Sequence, residues 1–188
     1  MTHWIFHRMF DRLTIFLLYA TNIRRILWLK GTGIELDRWE LIDTAANWEK
    51  WKKVYLPPGG VKGKVVFTFG ARAGGDVLFY FMQGARKVIA LDYDEECISM
   101  LRRNVERFGW DCDIIGRGLR LADFAIPCDF RKLNVEGYEM VMLEGDIPYV
   151  PTVTEAHCSY IVDKLKERGF WILDGPYEYL GKCMMANW

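Results

Sequence analysis

The chain has 188 residues, of which 51% are hydrophobic and 15% aromatic, so it can form one domain with a substantial core. Lysine plus arginine and aspartate plus glutamate both number 25. The net charge is therefore zero, and the broad positive field of a general nucleic-acid binder is excluded. The five cysteines are scattered and form no CxxC pair, which argues against a zinc site or a disulfide framework and favours reduced thiols in the cytoplasm.

The N-terminal segment predicts an amphipathic helix from Ile5 to about Ile23. Its apolar residues recur at spacings of three and four, namely Phe6, Met9, Phe10, Leu13, Phe16, Leu17 and Ala20. Such a helix would pack on the domain; the alternatives are a membrane surface or a partner, including a second copy that forms a homodimer. The apolar run Ile15–Ala20 is too short to span a bilayer, and no signal peptide is recognised.

Two short strands, Ile26–Leu29 and Ile34–Leu36, are predicted around a glycine turn, and a helix follows from Asp43 to Lys53. The Pro and Gly residues of Tyr55–Gly60 cannot continue a helix, so they mark a boundary. We therefore expect an N-terminal helical and hairpin extension over residues 1–60 and a second domain over residues 61–188.

Strands and helices alternate from Lys64 onward, which predicts an α/β fold with a mostly parallel sheet covered by helices on both faces. The predicted strands are Lys64–Phe69, Lys87–Asp92, Cys112–Ile115, Phe130–Val135, Pro151–Ala156, Phe170–Leu173 and Lys182–Ala186. The predicted helices are Gly75–Met82, Glu95–Phe108 and Ser159–Arg168.

A turn of small residues, Gly70-Ala71-Arg72-Ala73-Gly74-Gly75, directly follows the first of these strands. In such sheets ligands bind beyond the carboxyl ends of the strands. Asp92 ends the second strand about 20 residues after the turn, where a carboxylate can accept hydrogen bonds from both hydroxyls of a ribose. Its alternative role is to cap the next helix, for which Asp94 is better placed. The pairing of turn and acid predicts an adenosine-type cofactor.

Arg72 stands where the GxGxxG pattern has its second glycine. That pattern receives a pyrophosphate, so its interruption argues against a dinucleotide. S-adenosylmethionine (SAM) carries no phosphate, so it does not need a helix N-terminus that binds a pyrophosphate. The sequence therefore favours SAM over a nicotinamide or flavin dinucleotide.

Four stretches match motifs of a known family: Tyr55–Pro58 with Lys62–Val66 and the glycine turn; Gly84–Asp92 with Asp94 and Leu101–Val105; Cys128–Glu139; and Val153–His157. Through them nearly the whole chain, from about Ile26, resembles class I SAM-dependent methyltransferases, and more narrowly the FkbM-type family with its short archaeal relatives. Cys128–Glu139 is the most specific match, to the family's Lys-Met-Asp-Ile-Glu-Gly-Tyr-Glu. The resemblance implies a Rossmann-like seven-stranded sheet of order 3-2-1-4-5-7-6 with the last strand antiparallel.

The resemblance also implies roles for single residues around SAM. Asp92 would hold the ribose and Tyr93 would lie against the adenine. Asn134 would face the methyl group. The methionine part would be wrapped by the turn residues Gly70, Ala71, Arg72, Ala73 and Gly74.

The same resemblance implies methyl transfer to an oxygen of a small molecule or sugar, for which the enzyme supplies positioning and a base. Glu136, Glu155 and His157 are the candidates for that base. Glu136 could instead be an acid favoured at a helix N-terminus, and His157 could be structural. No metal is expected.

Three residues depart from the family pattern. Thr68 stands where an acid is usual, Arg72 where glycine is usual, and Asn134 where aspartate is usual. Thr68 and Arg72 could remove a charge that supports the cofactor and add bulk near its path, although Arg72 could also face solvent or pair with the cofactor's carboxylate. Two alternatives therefore stay open: a catalytically degenerate protein with a binding or assembly role, and an RNA methyltransferase. Zero net charge and the missing Asn-Pro-Pro-Tyr motif weigh against nucleic acid as a partner.

Overall fold

The computed structural model describes residues 17–135, 150, 152–156, 172–173 and 184–186. The helices are α1 Ile23–Thr32, α2 Arg38–Val54, α3 Gly75–Met82 and α4 Glu95–Phe108, with a short 3-10 helix at Leu121–Ala125. The strands are β1 Val65–Phe69, β2 Lys87–Asp92, β3 Cys112–Gly116, β4 Phe130–Leu133, β5 Thr152–Ala156, β6 Ile172–Leu173 and β7 Met184–Ala186.

The strands form one sheet of order β3-β2-β1-β4-β5-β7-β6. Strands β1 to β5 pair in parallel, and β7 pairs antiparallel with both β5 and β6. The predicted fold class and strand order are thus confirmed. In register, Phe69 of β1 lies between Leu91 of β2 and Leu133 of β4, so these three strands end at one edge of the sheet. The predicted helix Ser159–Arg168 lies outside the described residues.

The predicted N-terminal hairpin is wrong, because helix α1 occupies its first strand and its turn, and residues 34–37 are irregular. Ile26 and Leu29, three residues apart, are fully buried, while Leu27 between them is exposed. The helix ends at Gly33, whose φ of 83° places it in the left-handed region. An apolar run of four residues carries no period that separates a strand from a helix, which explains the error.

Only the end of the predicted N-terminal helix lies in the described part, where residues 17–21 are helical. Leu18 and Tyr19 pack against the core there, whereas Leu17 and Ala20, assigned to the apolar face, are exposed. The remainder, including Phe6, Met9 and Phe10, falls outside the described residues. In the described part of the chain, no helix is long and apolar enough to cross a membrane.

Two clusters of apolar side chains cover the two faces of the sheet. On one face, Trp48 and Trp51 of α2 lie 5.4 and 5.7 Å from the ring of Phe79 in α3. On the other, the rings of Phe67 and Phe69 stack at 4.0 Å. The N-terminal helices therefore share a core with the sheet, and the division into domains at residue 60 stays a prediction.

Candidate functional site

The turn between β1 and α3 lies at the sheet edge where β1, β2 and β4 end. The backbone amides of Gly70 and Ala71 donate to the carbonyl oxygen of Leu91 at 2.8 and 3.1 Å. A Cβ at Gly70, whose φ is 75°, would lie 1.9 Å from the backbone oxygen of Asn134. Asn134, predicted to face the methyl group, thus closes the base of the turn with its backbone, and glycine is required opposite it.

Arg72 turns toward α2. Its Nη2 lies 3.0 Å from Oδ2 of Asp37 and its Nε lies 3.9 Å from Oε2 of Glu40. The side chain is 44% exposed, so it is neither fully solvated nor buried in the turn. Among the described residues, Arg72 is the one non-glycine residue with positive φ, at 48°. The backbone thus keeps a glycine-like conformation, and the bulk of the side chain is directed to the acids of α2.

The carboxylate of Asp92 organises the turn. Its Oδ2 accepts from the backbone nitrogen of Arg72 at 2.7 Å, and its Oδ1 accepts from those of Tyr93 and Asp94 at 2.8 and 3.0 Å. Asp92 is 7% exposed. A carboxylate has about four acceptor positions, so three are occupied and one on Oδ2 remains. Asp92 thus keeps one acceptor position that no described residue occupies, and its role in holding a ribose stays a prediction.

The two residues after Asp92 have separate predicted roles, and the structure tests that of Asp94 alone. Tyr93 is 72% exposed beside the turn, which leaves its ring accessible to an adenine. Asp94 caps α4, because its Oδ1 accepts from the backbone nitrogens of Glu96 and Cys97 at 2.9 and 3.0 Å. The helix-capping role therefore falls to Asp94, as predicted, and not to Asp92.

A buried polar triad of Thr68, Asp76 and Lys132 lies between the sheet and α3. The Thr68 hydroxyl donates to Oδ2 of Asp76, and Nζ of Lys132 lies 3.0 Å from the same oxygen. Thr68 and Lys132 are register partners on β1 and β4, and all three residues are buried. A carboxylate of α3 thus lies directly beside the Thr68 hydroxyl. Oδ1 of Asp76 has no hydrogen-bond partner among the described residues.

Glu40 is the functional candidate that the sequence analysis missed. Its Oε2 accepts from the backbone nitrogen of Ala73 at 3.0 Å and its Oε1 from that of Gly75 at 2.9 Å. Burial raises the pKa of Glu40 to about 7. One signal was available: Asp37 and Glu40 have the spacing of a capping box, and Asp37 caps α2 by accepting from the Glu40 nitrogen at 2.8 Å. That spacing predicts the helix start, though not the contact with the turn.

The predicted base residues fall largely outside the described structure. Glu136 and His157 are not described. Glu155 lies in β5 opposite Met185 of β7, and its side chain is likewise outside the described atoms. Their catalytic roles stay predictions. In the described part of the chain, no three His, Cys, Asp or Glu side chains are grouped to hold a metal ion.

The conformation of the turn can be tested at Gly74. A Cβ there would lie 2.7 Å from Cδ1 of Leu101, and the φ of 106° disfavours any side chain. We expect Gly74→Ala to lower the free energy of unfolding by about 2 kcal/mol, from backbone strain plus the contact. Gly109→Ala, at a φ of 62° with open space around it, is the control and should cost about 1 kcal/mol. Equal losses in urea unfolding would contradict the close approach of α4 to the turn.

Two curated relatives match the chain, and both are named ribosomal RNA small subunit methyltransferase A. The protein of Rhizobium etli (strain CIAT 652) is 30% identical over 98 residues, which are 52% of this chain and 33% of that protein. The protein of Chelativorans sp. (strain BNC1) is 30% identical over 74 residues, 39% of this chain and 27% of that protein. The chain thus spans about a third of the length of these relatives. No family model matches the chain.

Solved structures show the same fold. A methyltransferase from Pyrococcus furiosus superposes with a TM-score of 0.59 at 17% identity, over 89% of this chain and 96% of that one. A Streptococcus pneumoniae structure in complex with S-adenosyl-L-methionine gives 0.50 at 15% identity, over 67% and 65% of the two chains. At such identities the likeness establishes the fold alone. The chain has the Rossmann-like α/β fold of class I SAM-dependent methyltransferases.

Proposed function

We propose that this chain is a SAM-dependent methyltransferase that acts on RNA. The observation that carries the cofactor assignment is the pairing of Asp92 with the turn Gly70–Gly74. The Asp92 carboxylate holds the turn through the Arg72 nitrogen and keeps one acceptor position for a ligand hydroxyl. Turn and acid lie at the sheet edge where such folds bind ligands.

The residues present fit SAM. Asp92 would hold one ribose hydroxyl, the exposed ring of Tyr93 would lie against the adenine, and the turn from Gly70 to Gly74 would receive the methionine part. When bound, SAM supplies an electrophilic methyl group. Arg72 leaves room for it, because its side chain pairs with Asp37.

The two curated relatives support RNA as the acceptor, since both are named for ribosomal RNA. They outweigh the sequence-based preference for a small molecule or sugar and the argument against nucleic acid from zero net charge. The narrower resemblance to the FkbM-type family finds no matching family model. A net charge of zero still allows a local RNA-binding surface.

Calorimetric titration with SAM tests the cofactor. We expect the wild type to bind SAM and Asp92→Asn to bind about tenfold or more weakly, because a hydrogen bond to a charged acceptor is lost. Asp94→Asn is the matched control: it removes the same charge two residues away, where the carboxylate caps α4, and should bind as the wild type. A folded wild type that gives no heat with SAM or S-adenosylhomocysteine would overturn the proposal.

Transfer of label from methyl-tritiated SAM identifies the acceptor. The substrates are small-subunit ribosomal RNA, total transfer RNA and a protein-free small-molecule extract. We expect label in RNA that becomes acid-soluble after nuclease treatment. Label in nuclease-resistant small molecules would instead support methylation of a small molecule or sugar, as the sequence predicted. Binding of SAM without transfer to any fraction would favour the degenerate binding protein.

A further inference from the structure

We propose that Glu40 is a positioning residue that holds the cofactor turn from a different helix, so that SAM binding depends on the α2 carboxylate. The proposal rests on the proposed function, because it assigns the turn to SAM. Glu40 does not contact the ligand in this scheme. It acts through the backbone of Ala73 and Gly75, the segment that leads from the turn into α3.

The first N–H groups of a helix have no partner within the helix and are usually satisfied by a side chain at the N-cap. At α3 the N-cap is Gly74, which has no side chain to do this. Glu40 takes over this task from α2 for the first helical amide, because its Oε1 accepts from the nitrogen of Gly75 at 2.9 Å. Its Oε2 accepts from the nitrogen of Ala73, the residue before the N-cap, at 3.0 Å. It is 4% exposed, so water does not compete for these positions. Two bonds from one planar group fix the orientation of the segment.

Close packing on both sides shows that the contact is built into the fold. A Cβ at Gly75 would lie 2.2 Å from Oγ1 of Thr44 and 3.3 Å from Oε1 of Glu40, so glycine permits α2 to approach this near. From the opposite side, Nδ2 of Asn104 in α4 donates to the carbonyl oxygen of Ala73 at 2.9 Å. The segment is therefore held between α2 and α4.

Arg72 connects the Glu40 contact to the ligand side of the turn. Its guanidinium pairs with Asp37 and approaches Glu40, while its backbone nitrogen donates to Asp92. Asp92 is the residue assigned to the ribose. A change at Glu40 therefore reaches the ligand acceptor through one residue, which gives the coupling a physical path.

The charge of Glu40 supplies a signature that a purely structural residue would not give. Burial raises its pKa to about 7, and the groups that face it are Asp37 on α2, Arg72 on the turn, Asp76 on α3 and Cys97 on α4. Arg72 keeps its charge throughout, and burial raises the pKa of Cys97 to about 12. A protonated carboxyl cannot serve both amides as an ionised one does. The hydrogen bonds from the amides of Ala73 and Gly75 to Glu40 should therefore weaken as the pH falls below about 7.

The test measures binding of 5′-methylthioadenosine, which has no group that ionises between pH 6 and pH 8, by calorimetry at both pH values. If binding requires ionised Glu40, the wild type should bind about tenfold more tightly at pH 8 than at pH 6. Glu40→Gln cannot ionise, so it should bind more weakly than the wild type does even at pH 6, and without dependence on pH. Glu49→Gln, on the exposed side of the same helix, is the matched control and should follow the wild type.

Backbone amide hydrogen exchange of Ala73 and Gly75 gives a second readout that needs no ligand. Protection of both amides should fall in Glu40→Gln and stay unchanged in Glu49→Gln. Two results would refute the role of Glu40 and leave the proposed function intact. In one, the wild type binds the analogue and Glu40→Gln binds it equally well at both pH values. In the other, the two amides keep their protection in Glu40→Gln. If the folded wild type binds neither SAM nor the analogue, the proposed function fails first and the Glu40 role falls with it.

Discussion

Asp76→Ala is expected to lower the free energy of unfolding by about 4 kcal/mol, because it leaves the Lys132 ammonium buried without its counter-charge. Lys132 is almost fully buried, and its Nζ lies 3.0 Å from Oδ2 of Asp76. Its Nζ also lies over the ring of Tyr55, 5.5 Å from the ring centroid. A ring face attracts a cation more weakly than a carboxylate does in a buried site. Urea unfolding at neutral pH measures the loss.

A double-mutant cycle separates this ion pair from general packing. Lys132→Met should also destabilise, since it strands the Asp76 carboxylate, while the double variant should lose less than either single one. Asp113→Asn is the control on the same sheet. It breaks the exposed pair of Lys87 and Asp113, at 2.8 Å, and should change stability far less. Strictly additive losses for Asp76→Ala and Lys132→Met would contradict a coupled pair.

The same pair explains why threonine stands at position 68. Oδ2 of Asp76 already accepts from the Thr68 hydroxyl. An aspartate at position 68 would bring a second carboxylate against the first in a buried site, where like charges repel strongly. Threonine at position 68 therefore fits its surroundings, where a hydroxyl can donate to the carboxylate of Asp76.

The parts of the fold that follow from local pattern were predictable. Apolar runs such as Val65–Phe69 and Lys87–Asp92, bounded by glycine or a terminal acid, predicted buried parallel strands, and the periodic helix Glu95–Phe108 ended at its glycine. The glycine turn and Asp92 were likewise found from spacing. The helix α1 was missed because Ile26–Leu29 is too short to show a period.

The contacts that define the candidate site were beyond local pattern. Glu40 reaches the turn from 33 and 35 residues away, and Lys132 reaches Asp76 from 56 residues away. Such pairs are set by how α2 and α3 pack on the sheet, which no motif encodes. The orientation of Arg72 has the same origin, since Asp37 lies 35 residues before it. The sequence identified Arg72 as unusual but did not predict which way its side chain points.

The stability of the wild type is expected to fall between pH 5 and pH 8 through the ionisation of Glu40. Burial raises its pKa from 4.5 to about 7, so in this range the folded state binds more protons than the unfolded state. The stabilising contribution is complete below pH 4.5 and is lost as the pH rises through about 7. A shift of this size corresponds to about 3 kcal/mol. Urea unfolding at a series of pH values measures the slope.

Glu40→Gln isolates this contribution, because the difference between variant and wild type cancels every other titrating group, the three histidines included. The free energy of unfolding of the wild type should be higher at pH 5 than at pH 8. Glu40→Gln should lack the part of this difference that comes from the ionisation of Glu40. Asp94 and Asp123 do not interfere, since their pKa values are lowered and they act at more acidic pH. Parallel profiles for the two proteins would show that Glu40 titrates normally. Ionised Glu40 is the form that binds both turn amides. Its ionisation near neutral pH would therefore order the cofactor turn and at the same time lower the free energy of unfolding.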